Sequence, residues 1–216
     1  MIKKPPGPLC RREKRRLQLR EEILDAALDL FAEKGFYAVT MHEVADRAEV
    51  GVGTLYSFFT SKEDLYRQLV LEYARSIFAL LREALADSET DPKKVLEDFV
   101  TTGWTLLSSD YRVLKLYLAE TQGVHFSMRL QVYPELKKEY ERLTGDLEVL
   151  MARGVAEKLF RPVGERNLAL VLHGISHAFF MEWLRDPTPE AVQENIRSIL
   201  DLFYRGALAE PEPSPQ

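Results

Sequence analysis

Apolar residues recur at helical spacing through almost the whole chain, and this periodicity is the feature that most restricts the fold. In one clear example, the residues Ile23, Ala27, Leu30 and Phe31 follow an i, i+4, i+7, i+8 pattern, which places them on one face of a helix. No segment shows the convincing apolar–polar alternation of a half-buried strand. The sequence therefore predicts an all-α protein.

Start and stop signals divide this pattern into successive helices. Thr40 and Glu43 have the spacing of a capping box, in which the Thr hydroxyl and the Glu side chain each accept from the other residue's amide. Asp91 and Pro92 are an N-cap followed by Pro at the first helical position, and Gly35 is a helix stop. The predicted helices lie near residues 17–34, 40–48, 52–59, 61–86, 91–107, 110–122, 134–158, 165–185 and 189–208.

Composition restricts the location and the chemistry of the protein. The sequence has no stretch long and apolar enough for a membrane helix, and its basic N-terminus lacks the apolar core of a secretory signal. Hydrophobic residues make up 46% of the chain, and Cys10 is its one cysteine, so neither an internal disulfide nor a Cys-based metal site is expected. We expect a cytoplasmic protein without membrane contact or cofactor.

Charge is distributed unevenly along the chain. Residues 1–20 hold eight basic residues and one acidic residue, a net charge of +7, which leaves −12 for the rest of a chain whose total is −5. A basic arm on an acidic body is typical of an interaction tail. On charge alone, a solvated arm that only aids solubility is an equal alternative.

Residues 40–62 have the form of a helix-turn-helix followed by the start of a long helix. In the third predicted helix, Leu55 and Phe58 are spaced to pack inward, which leaves Gly53 and its polar neighbours on the outer side. A glycine inside a helix costs about 1 kcal/mol relative to alanine, and close approach to a phosphate backbone is one reason to keep it. Lys62 stands where its ammonium and the free amides of a helix start would meet one phosphate.

Four linked segments of this region resemble the DNA-binding domain of the TetR family of repressors, in the family's order and spacing. The segments are residues 31–36, 40–50, 53–59 and 61–65. The resemblance implies that Thr40, Tyr56 and Lys62 contact DNA phosphates. It places Thr54 and the Gly53 backbone near the groove. It also implies an all-helical regulatory domain whose last two long helices pair across a dimer axis.

The sequence departs from the family pattern where bases would be read. Gly51 stands in place of a serine that caps the third helix, and Val52 in place of a basic or polar residue. Glycine is tolerated as a cap, whereas Val52 offers only an apolar contact, such as one to a thymine methyl. A Ser-Phe pair replaces the more usual His-Tyr pair after the tyrosine. The expected reading surface, sparse in polar groups, comprises Val52, Gly53, Thr54, Tyr56 and Ser57.

In front of a helix-turn-helix, a basic extension is expected to follow the DNA backbone or to enter the neighbouring minor groove. Arg15, Arg16 and Arg20 are the favoured contributors, and a solvated tail is the alternative. The expected divisions are a basic flexible arm at 1–18, a DNA-binding domain at 19–66, a regulatory and dimerisation domain at 67–209 and a disordered tail at 210–216.

Large apolar side chains mixed with a few polar ones predict a ligand pocket inside the C-terminal bundle. This mixture suits a largely apolar effector with one polar head, and we favour an acyl chain over an aromatic molecule. The alternative is a plain hydrophobic core with satisfied histidines. The candidate ligand residues are Trp104, Tyr117, Thr121, Gln122, His125, Phe126, His173, His177, Phe179 and Trp183.

His173 and His177 lie four residues apart and share one face of a predicted helix, a spacing that metal ligands also use. Glu182 falls on another face, so no carboxylate at a matching spacing completes a metal set. We expect no metal site, and we interpret both histidines as lining of the pocket or of a packed interface.

Apolar stripes on the last two predicted helices indicate a dimer interface. Two copies of this helix pair would form a four-helix contact around a twofold axis. The alternative is that both stripes are buried inside one subunit. The candidate interface residues are Leu168, Leu172, Ile175, Phe179, Ile196, Ile199, Leu200 and Phe203.

The predicted function is that of a homodimeric repressor, which binds a palindromic operator on double-stranded DNA and is released by a small-molecule effector. A transcriptional activator or a non-specific DNA-binding protein of the same fold is the alternative. An enzyme is disfavoured because the chain has no P-loop and no Gly-x-Ser-x-Gly element, and because Cys10 falls in the basic arm.

Overall fold

A computed structural model describes residues 10–87, 89–121 and 134–208, with only the backbone at 117, 118, 120 and 121. Within these ranges the regular structure is helical, as the periodicity predicts, apart from one isolated bridge between Phe160 and Leu208. No helix in the described part of the chain is long and apolar enough to cross a membrane. The helices are α1 (Arg11–Lys34), α2 (Met41–Arg47), α3 (Val52–Tyr56), α4 (Lys62–Leu85), α5 (Pro92–Ser109), α6 (Tyr111–Thr121), α7 (Pro134–Ala156), α8 (Glu165–Trp183) and α9 (Pro189–Ala207).

The chain divides into two compact units, one up to Val70 and the other from Leu71 onward. The first unit, here called the DNA-binding unit, contains α1, α2, α3 and the first turns of α4. The second, here called the regulatory unit, contains the rest of α4 and α5 to α9. The sequence predicted this boundary slightly earlier, after residue 66. Helix α4 contributes to both units because it runs without a break from Lys62 to Leu85.

Helix α1 begins earlier than the sequence analysis predicted. The expectation of a flexible arm over residues 1–18 is wrong for residues 11–18, which form the first turns of α1. The Glu13 side chain accepts from the amide of Cys10 at 2.8 Å and so satisfies a backbone donor at the helix start. Arg, Lys and Glu are good helix formers, and neither Gly nor Pro interrupts them here. Residues 1–9 and 209–216 lie outside the described residues.

The DNA-binding unit has a small apolar core, and α2 begins at the predicted capping box. Thr40 Oγ1 accepts from the amide of Glu43 at 3.3 Å, and Glu43 Oε2 accepts from the amide of Thr40 at 2.8 Å. Helix α3 is shorter than predicted, because the chain after Tyr56 forms a turn. The fully buried side chains of this unit include Ile23, Leu28, Val44, Leu55 and Phe59.

In the regulatory unit, α8 packs against α7 and α9, and α5 packs against α6, α7 and α9. Helix α5 begins as predicted: the Asp91 side chain accepts from the amide of Lys93 at 2.8 Å, and Pro92 occupies the first turn. The core of the unit includes Leu96, Trp104, Leu114, Met151, Phe160, Ile199 and Phe203.

The C-terminal end of α4 is fixed to α7 by two arginines. Arg82 Nε donates to Asp146 Oδ2 at 2.5 Å. Arg153 donates to the backbone carbonyls of Asp87 and Thr90, and so holds the loop that joins α4 to α5. These contacts tie the end of α4 to the core of the regulatory unit.

Candidate nucleic-acid interface and regulatory core

Helix α3 presents an exposed face made of predicted reading residues. Gly53, Thr54 and Tyr56 are exposed, Val52 is half-buried, and Leu55 on the opposite side is fully buried. Tyr56 is 49% exposed, and neither its hydroxyl nor that of Thr54 makes a hydrogen bond within the described ranges. These two hydroxyls are therefore available to an external partner.

The hydroxyl protons of two other predicted DNA contacts, Thr40 and Ser57, are used inside the protein. Thr40 Oγ1 donates to Glu43 Oε2 at 2.8 Å, and Ser57 Oγ donates to the carbonyl of Thr54 at 2.6 Å. A phosphate oxygen needs a donor, and neither hydroxyl has a proton left while these bonds persist. In this structure both residues therefore stabilise helix ends rather than offer a phosphate contact.

The ammonium group of Lys62 faces backbone carbonyls instead of solvent. Its Nζ donates to the carbonyl oxygens of Phe36 and Val39, both at 2.9 Å, and to that of Tyr37 at 3.4 Å. It also lies 4.6 Å from the centroid of the Phe36 ring, within range of a cation–π contact. In this structure Lys62 fixes the loop between α1 and α2, and its predicted phosphate contact stays a prediction.

Glu43 joins the end of α1 to the start of α2. Lys34 Nζ lies 2.6 Å from Glu43 Oε1, while Oε2 accepts from the hydroxyl and the amide of Thr40. The Lys34 ammonium, followed by the Thr40 donors, lowers the pKa of Glu43 to about 2. The carboxylate is therefore fully ionised at neutral pH and keeps all of these bonds.

Two of the three predicted arm arginines pack against the DNA-binding unit. The guanidinium of Arg16 lies 5.3 Å from the centroid of the Phe58 ring. That of Arg20 lies 5.8 Å from the Phe59 ring and donates to Gln68 Oε1 at 3.1 Å. Arg15 stays exposed on α1. Phe58, expected in the core, is only half-buried, because it lies beneath Arg16 at the surface.

The sequence analysis did not single out Tyr37, which lies in the loop just before α2. Its side chain is 91% exposed, yet its ring meets Phe36 edge-on at 5.4 Å and its carbonyl accepts from Lys62. The backbone is thus held in place while the phenol points to solvent. No local pattern distinguishes Tyr37 from the neighbouring aromatic residue, and only its exposure identifies it.

In the regulatory unit, both predicted pocket tryptophans are buried in one aromatic cluster. Trp104, which is 1% exposed, stacks on Phe180 with ring centroids 4.0 Å apart and 15° between the planes. Trp183 meets Trp104 edge-on at 6.3 Å, and its Nε1 donates to the carbonyl of Thr188 at 2.9 Å. The stacking partner Phe180 was not among the predicted pocket residues, and the predicted pocket residue Phe179 is half-buried.

His173 and His177 stack on one face of α8 with ring centroids 6.1 Å apart, and Tyr140 of α7 meets His173 edge-on at 6.4 Å. Burial lowers the pKa of both histidines, and the charge of His177 adds to the effect at His173. Both rings are therefore neutral at pH 7. Across the described ranges, no three His, Cys, Asp or Glu side chains gather as a metal site.

The remaining predicted ligand residues fall outside the described side chains. Gln122, His125 and Phe126 lie outside the described residues. Tyr117 and Thr121 lie on α6, where only their backbone is described. The predictions for these residues stay predictions.

Most of the predicted dimer-interface residues are buried inside one chain. A helical apolar pattern identifies a buried face but not the neighbour that covers it, and here α8 and α9 pack against each other and against α5 and α7. The assignment of these side chains to a dimer contact is therefore wrong, and the alternative of burial within one subunit holds for them. The buried members, at most 4% exposed, are Leu168, Leu172, Ile196, Ile199 and Phe203. The half-buried members are Ile175, Phe179 and Leu200.

Another apolar face of the same two helices is exposed. On α8, Leu170 is 66% exposed, Val171 51% and Met181 37%. Gly174 lies between them, with open space where a Cβ would stand. On α9, Leu202 is 51% exposed. We call these residues the exposed α8–α9 face, and apolar residues grouped in this way on a surface are typical of an interaction site.

Sequence comparison identifies the relatives of this chain. The model of the family described as bacterial regulatory proteins, tetR family, matches residues 23–69. The HTH-type transcriptional repressor KstR2 of Rhodococcus jostii (strain RHA1) is 33% identical over 193 residues, which cover 89% of this chain and 92% of KstR2. The likeness therefore extends well beyond the DNA-binding unit.

Solved structures of two regulators share the fold. The ketosteroid transcriptional regulator KstR2 of Mycobacterium tuberculosis has a TM-score of 0.73 at 23% identity, over 88% of this chain and 95% of that one. FadR from Bacillus subtilis, solved in complex with stearoyl-CoA, also has a TM-score of 0.73, at 21% identity, over 86% and 98%. With one-third identity to a repressor along nearly its full length, the chain belongs to the TetR family of helix-turn-helix transcription regulators.

Proposed function

We propose that the protein is a homodimeric repressor that binds a palindromic operator and leaves it when an apolar small molecule binds the regulatory unit. The observation that carries the DNA-binding part is the exposed face of α3, where the hydroxyls of Thr54 and Tyr56 are unengaged beside Gly53. The name of the R. jostii relative, a transcriptional repressor, supports repression as the direction of control.

Gly53 supports a close approach of DNA to α3. A glycine inside a helix costs about 1 kcal/mol relative to alanine, and a Cβ added at Gly53 would meet nothing within 4 Å. Packing within the described chain thus gives no reason for a glycine there, whereas a phosphate or sugar seated against α3 gives one. Tyr56 then donates to a phosphate, and Thr54 reads a base edge.

The basic start of α1 supplies further phosphate contacts. Arg16 is held over Phe58, directly after α3, so the first turns of α1 lie beside the end of the reading helix. Arg15 and its basic neighbours are exposed there. A helix loses less conformational freedom on binding than a free tail, so these charges contact the backbone at a lower entropic cost than a flexible arm.

The exposed α8–α9 face supports the dimer. A twofold axis brings the same patch of both subunits together, so Leu170, Val171 and Met181 on α8 and Leu202 on α9 would each meet their counterparts. The exposed Gly174 permits close approach of the two helices. The dimer fixes the separation of the two α3 helices, which must match successive major grooves about 34–36 Å apart.

The aromatic cluster of the regulatory unit supports a largely apolar effector. One solved relative is described as a ketosteroid transcriptional regulator, and another was solved with stearoyl-CoA, whose long acyl chain is apolar. An effector releases DNA only if it binds the DNA-incompetent arrangement more tightly than the competent one. Helix α4 is the element through which we expect this preference to act, because it belongs to both units.

Selection of random-sequence duplex DNA by the full-length protein tests the proposal. We expect an inverted repeat whose half-site centres are one turn, or a whole number of turns, apart. Uniform recovery of all sequences would instead show a non-specific DNA-binding protein. A reporter gene carrying the selected site is expected to be repressed, and stimulation would show an activator.

Two variants test whether Thr54 reads a base while Tyr56 contacts a phosphate. Thr54→Ala is expected to change the preferred base at one position, a discrimination of about 1–3 kcal/mol. Tyr56→Phe is expected to weaken binding to all sequences alike, because a phosphate contact carries no sequence information. Binding curves on the selected site and on its single-base variants separate the two effects. Equal loss of specificity in both variants would contradict these roles.

A further inference from the structure

The indole N–H of Trp104 is buried without a hydrogen-bond partner among the described residues. The side chain is 1% exposed, so bulk solvent does not satisfy this donor. Trp183, in contact with it, shows the usual arrangement, because its own N–H donates to the carbonyl of Thr188. Buried polar groups of native proteins are nearly always paired, and each exception calls for an explanation.

His177 provides another unpaired buried atom on the facing helix. Its Nδ1 is buried and has no hydrogen-bond partner in the described ranges. Phe180, which stacks on Trp104, lies three residues further along α8 and therefore on the same helix face as His177. The two unpaired atoms thus lie on α5 and α8, two helices that the stack of Trp104 on Phe180 brings into contact.

The chemistry of these atoms restricts what would satisfy them. An indole N–H only donates, so its partner must be an acceptor. Burial lowers the pKa of His177, and the neutral ring offers an Nδ1 that either donates or accepts, according to its tautomer. A buried carboxylate would need a compensating charge, which neither neutral histidine supplies. An uncharged oxygen in an apolar molecule meets these conditions.

We propose that Trp104 and His177 hold an uncharged carbonyl oxygen of the effector, with the apolar body of the molecule against the surrounding aromatic side chains. This inference rests on the proposed function, in which the regulatory unit binds an apolar effector. The ketone of a steroid and the thioester of an acyl-CoA share this chemistry. The two sources are separated by experiment.

Titration calorimetry on the full-length protein tests the proposal with three probes. These are stearoyl-CoA, its thioether analogue S-octadecyl-CoA, which lacks the carbonyl, and androst-4-ene-3,17-dione. Trp104→Phe removes the N–H and keeps an aromatic ring against Phe180. We expect this variant to bind the preferred carbonyl probe about 3- to 10-fold more weakly, the value of one hydrogen bond. Binding of the thioether should not change between wild type and variant.

Trp183→Phe is the matched control, because it removes an indole N–H that serves the fold instead. We expect its affinity for the carbonyl probe to change less than that of Trp104→Phe. Its melting temperature should fall further, because the Thr188 carbonyl loses its donor whereas Trp104→Phe leaves no protein group unpaired. Stearoyl-CoA as the tighter wild-type ligand identifies a thioester carbonyl, and the dione identifies a ketone.

Three results would overturn the proposal. They are an equal loss of thioester and thioether binding in Trp104→Phe, no loss of either, and a wild-type protein that binds none of the probes. Operator binding is measured separately and without effector. A protein that binds its operator but no carbonyl probe therefore keeps its role on DNA and loses this ligand assignment.

Discussion

The DNA-binding unit and the regulatory unit differ in what satisfies certain of their polar groups. In the first, Lys62 donates to loop carbonyls and Glu43 accepts from the amide at the start of α2, so both charges bind groups of the protein itself. In the second, Trp104 and His177 keep buried polar atoms that no described residue satisfies. The DNA-binding unit thus holds its loop and its helix start without a ligand. The aromatic cluster of the regulatory unit instead adjoins buried polar atoms that have no partner among the described residues.

The two units also differ in the apolar surface that they expose. The DNA-binding unit exposes Leu17 and two aromatic residues, Tyr37 and Tyr56, whose hydroxyls suit a phosphate. The regulatory unit exposes aliphatic side chains along two neighbouring helices. Exposed phenols suit a charged, hydrated partner, and exposed aliphatic side chains suit a second protein surface.

The largest expected effect concerns the exposed α8–α9 face. Leu170→Glu combined with Leu202→Glu places charges where two copies would meet, and we expect a monomer in sedimentation experiments. Operator affinity should fall about 100-fold or more, because the two half-sites are then bound independently. Leu80→Glu, at a 44% exposed leucine of α4, is the control for adding a charge to the regulatory unit. A double variant that stays dimeric would place the interface elsewhere.

The next effect distinguishes a structural role of Lys62 from a direct contact with DNA. Lys62→Ala leaves loop carbonyls without their charged donor, and we expect the free energy of unfolding to fall by about 1.5–3 kcal/mol. DNA binding should weaken as a consequence. Urea denaturation of the free protein measures the first effect, and binding at several salt concentrations measures the second.

Arg15→Ala is the matched control for Lys62, because Arg15 is exposed on α1. Its loss should leave stability unchanged and reduce the slope of log K against log salt by about one, the value of one phosphate contact. If Lys62→Ala behaved in the same way, with stability unaltered, Lys62 would be a phosphate contact as the family resemblance implies.

The smallest effect is a dependence of stability on pH through Glu43. Its pKa in the folded protein is about 2, below the usual value of about 4.3. Its bonds therefore stabilise the fold fully at pH values above about 4.3. This contribution is lost as the pH falls through about 2. Wild type should therefore lose more stability than Glu43→Gln between about pH 5 and pH 2, as measured by urea midpoints. An equal loss in both proteins would contradict the assignment, and Glu49→Gln is the control.

Features of the DNA-binding unit that depend on neighbouring residues were predictable from the sequence. The capping box needs only Thr40 and Glu43, one turn apart, and both bonds are present. The partners of Lys62 were not predictable, because backbone carbonyls occur at every residue and only the folded loop gathers those of Phe36, Tyr37 and Val39. The start of α1 was missed because the basic charges were interpreted as a free arm.

In the regulatory unit, periodicity predicted the helices but not their neighbours. Leu172 and Ile199 were assigned to a dimer and are buried within one chain, while Leu170 and Leu202 are exposed. Both pairs fit a helical pattern, so spacing alone does not say which face meets α5, α7 or a second copy. The unpaired N–H of Trp104 likewise depends on what surrounds it, which the sequence does not record.

The position of Lys62 at the first residue of α4 has one more consequence. Its ammonium binds the main chain just ahead of α2, so we expect a rotation of α4 about its long axis to move the start of the helix-turn-helix. After a substitution of Lys62, we expect α4 to rotate without displacing α2. Among variants at this residue and in the carbonyl-bearing loop that it holds, we therefore expect those that still bind the operator to respond less to effector.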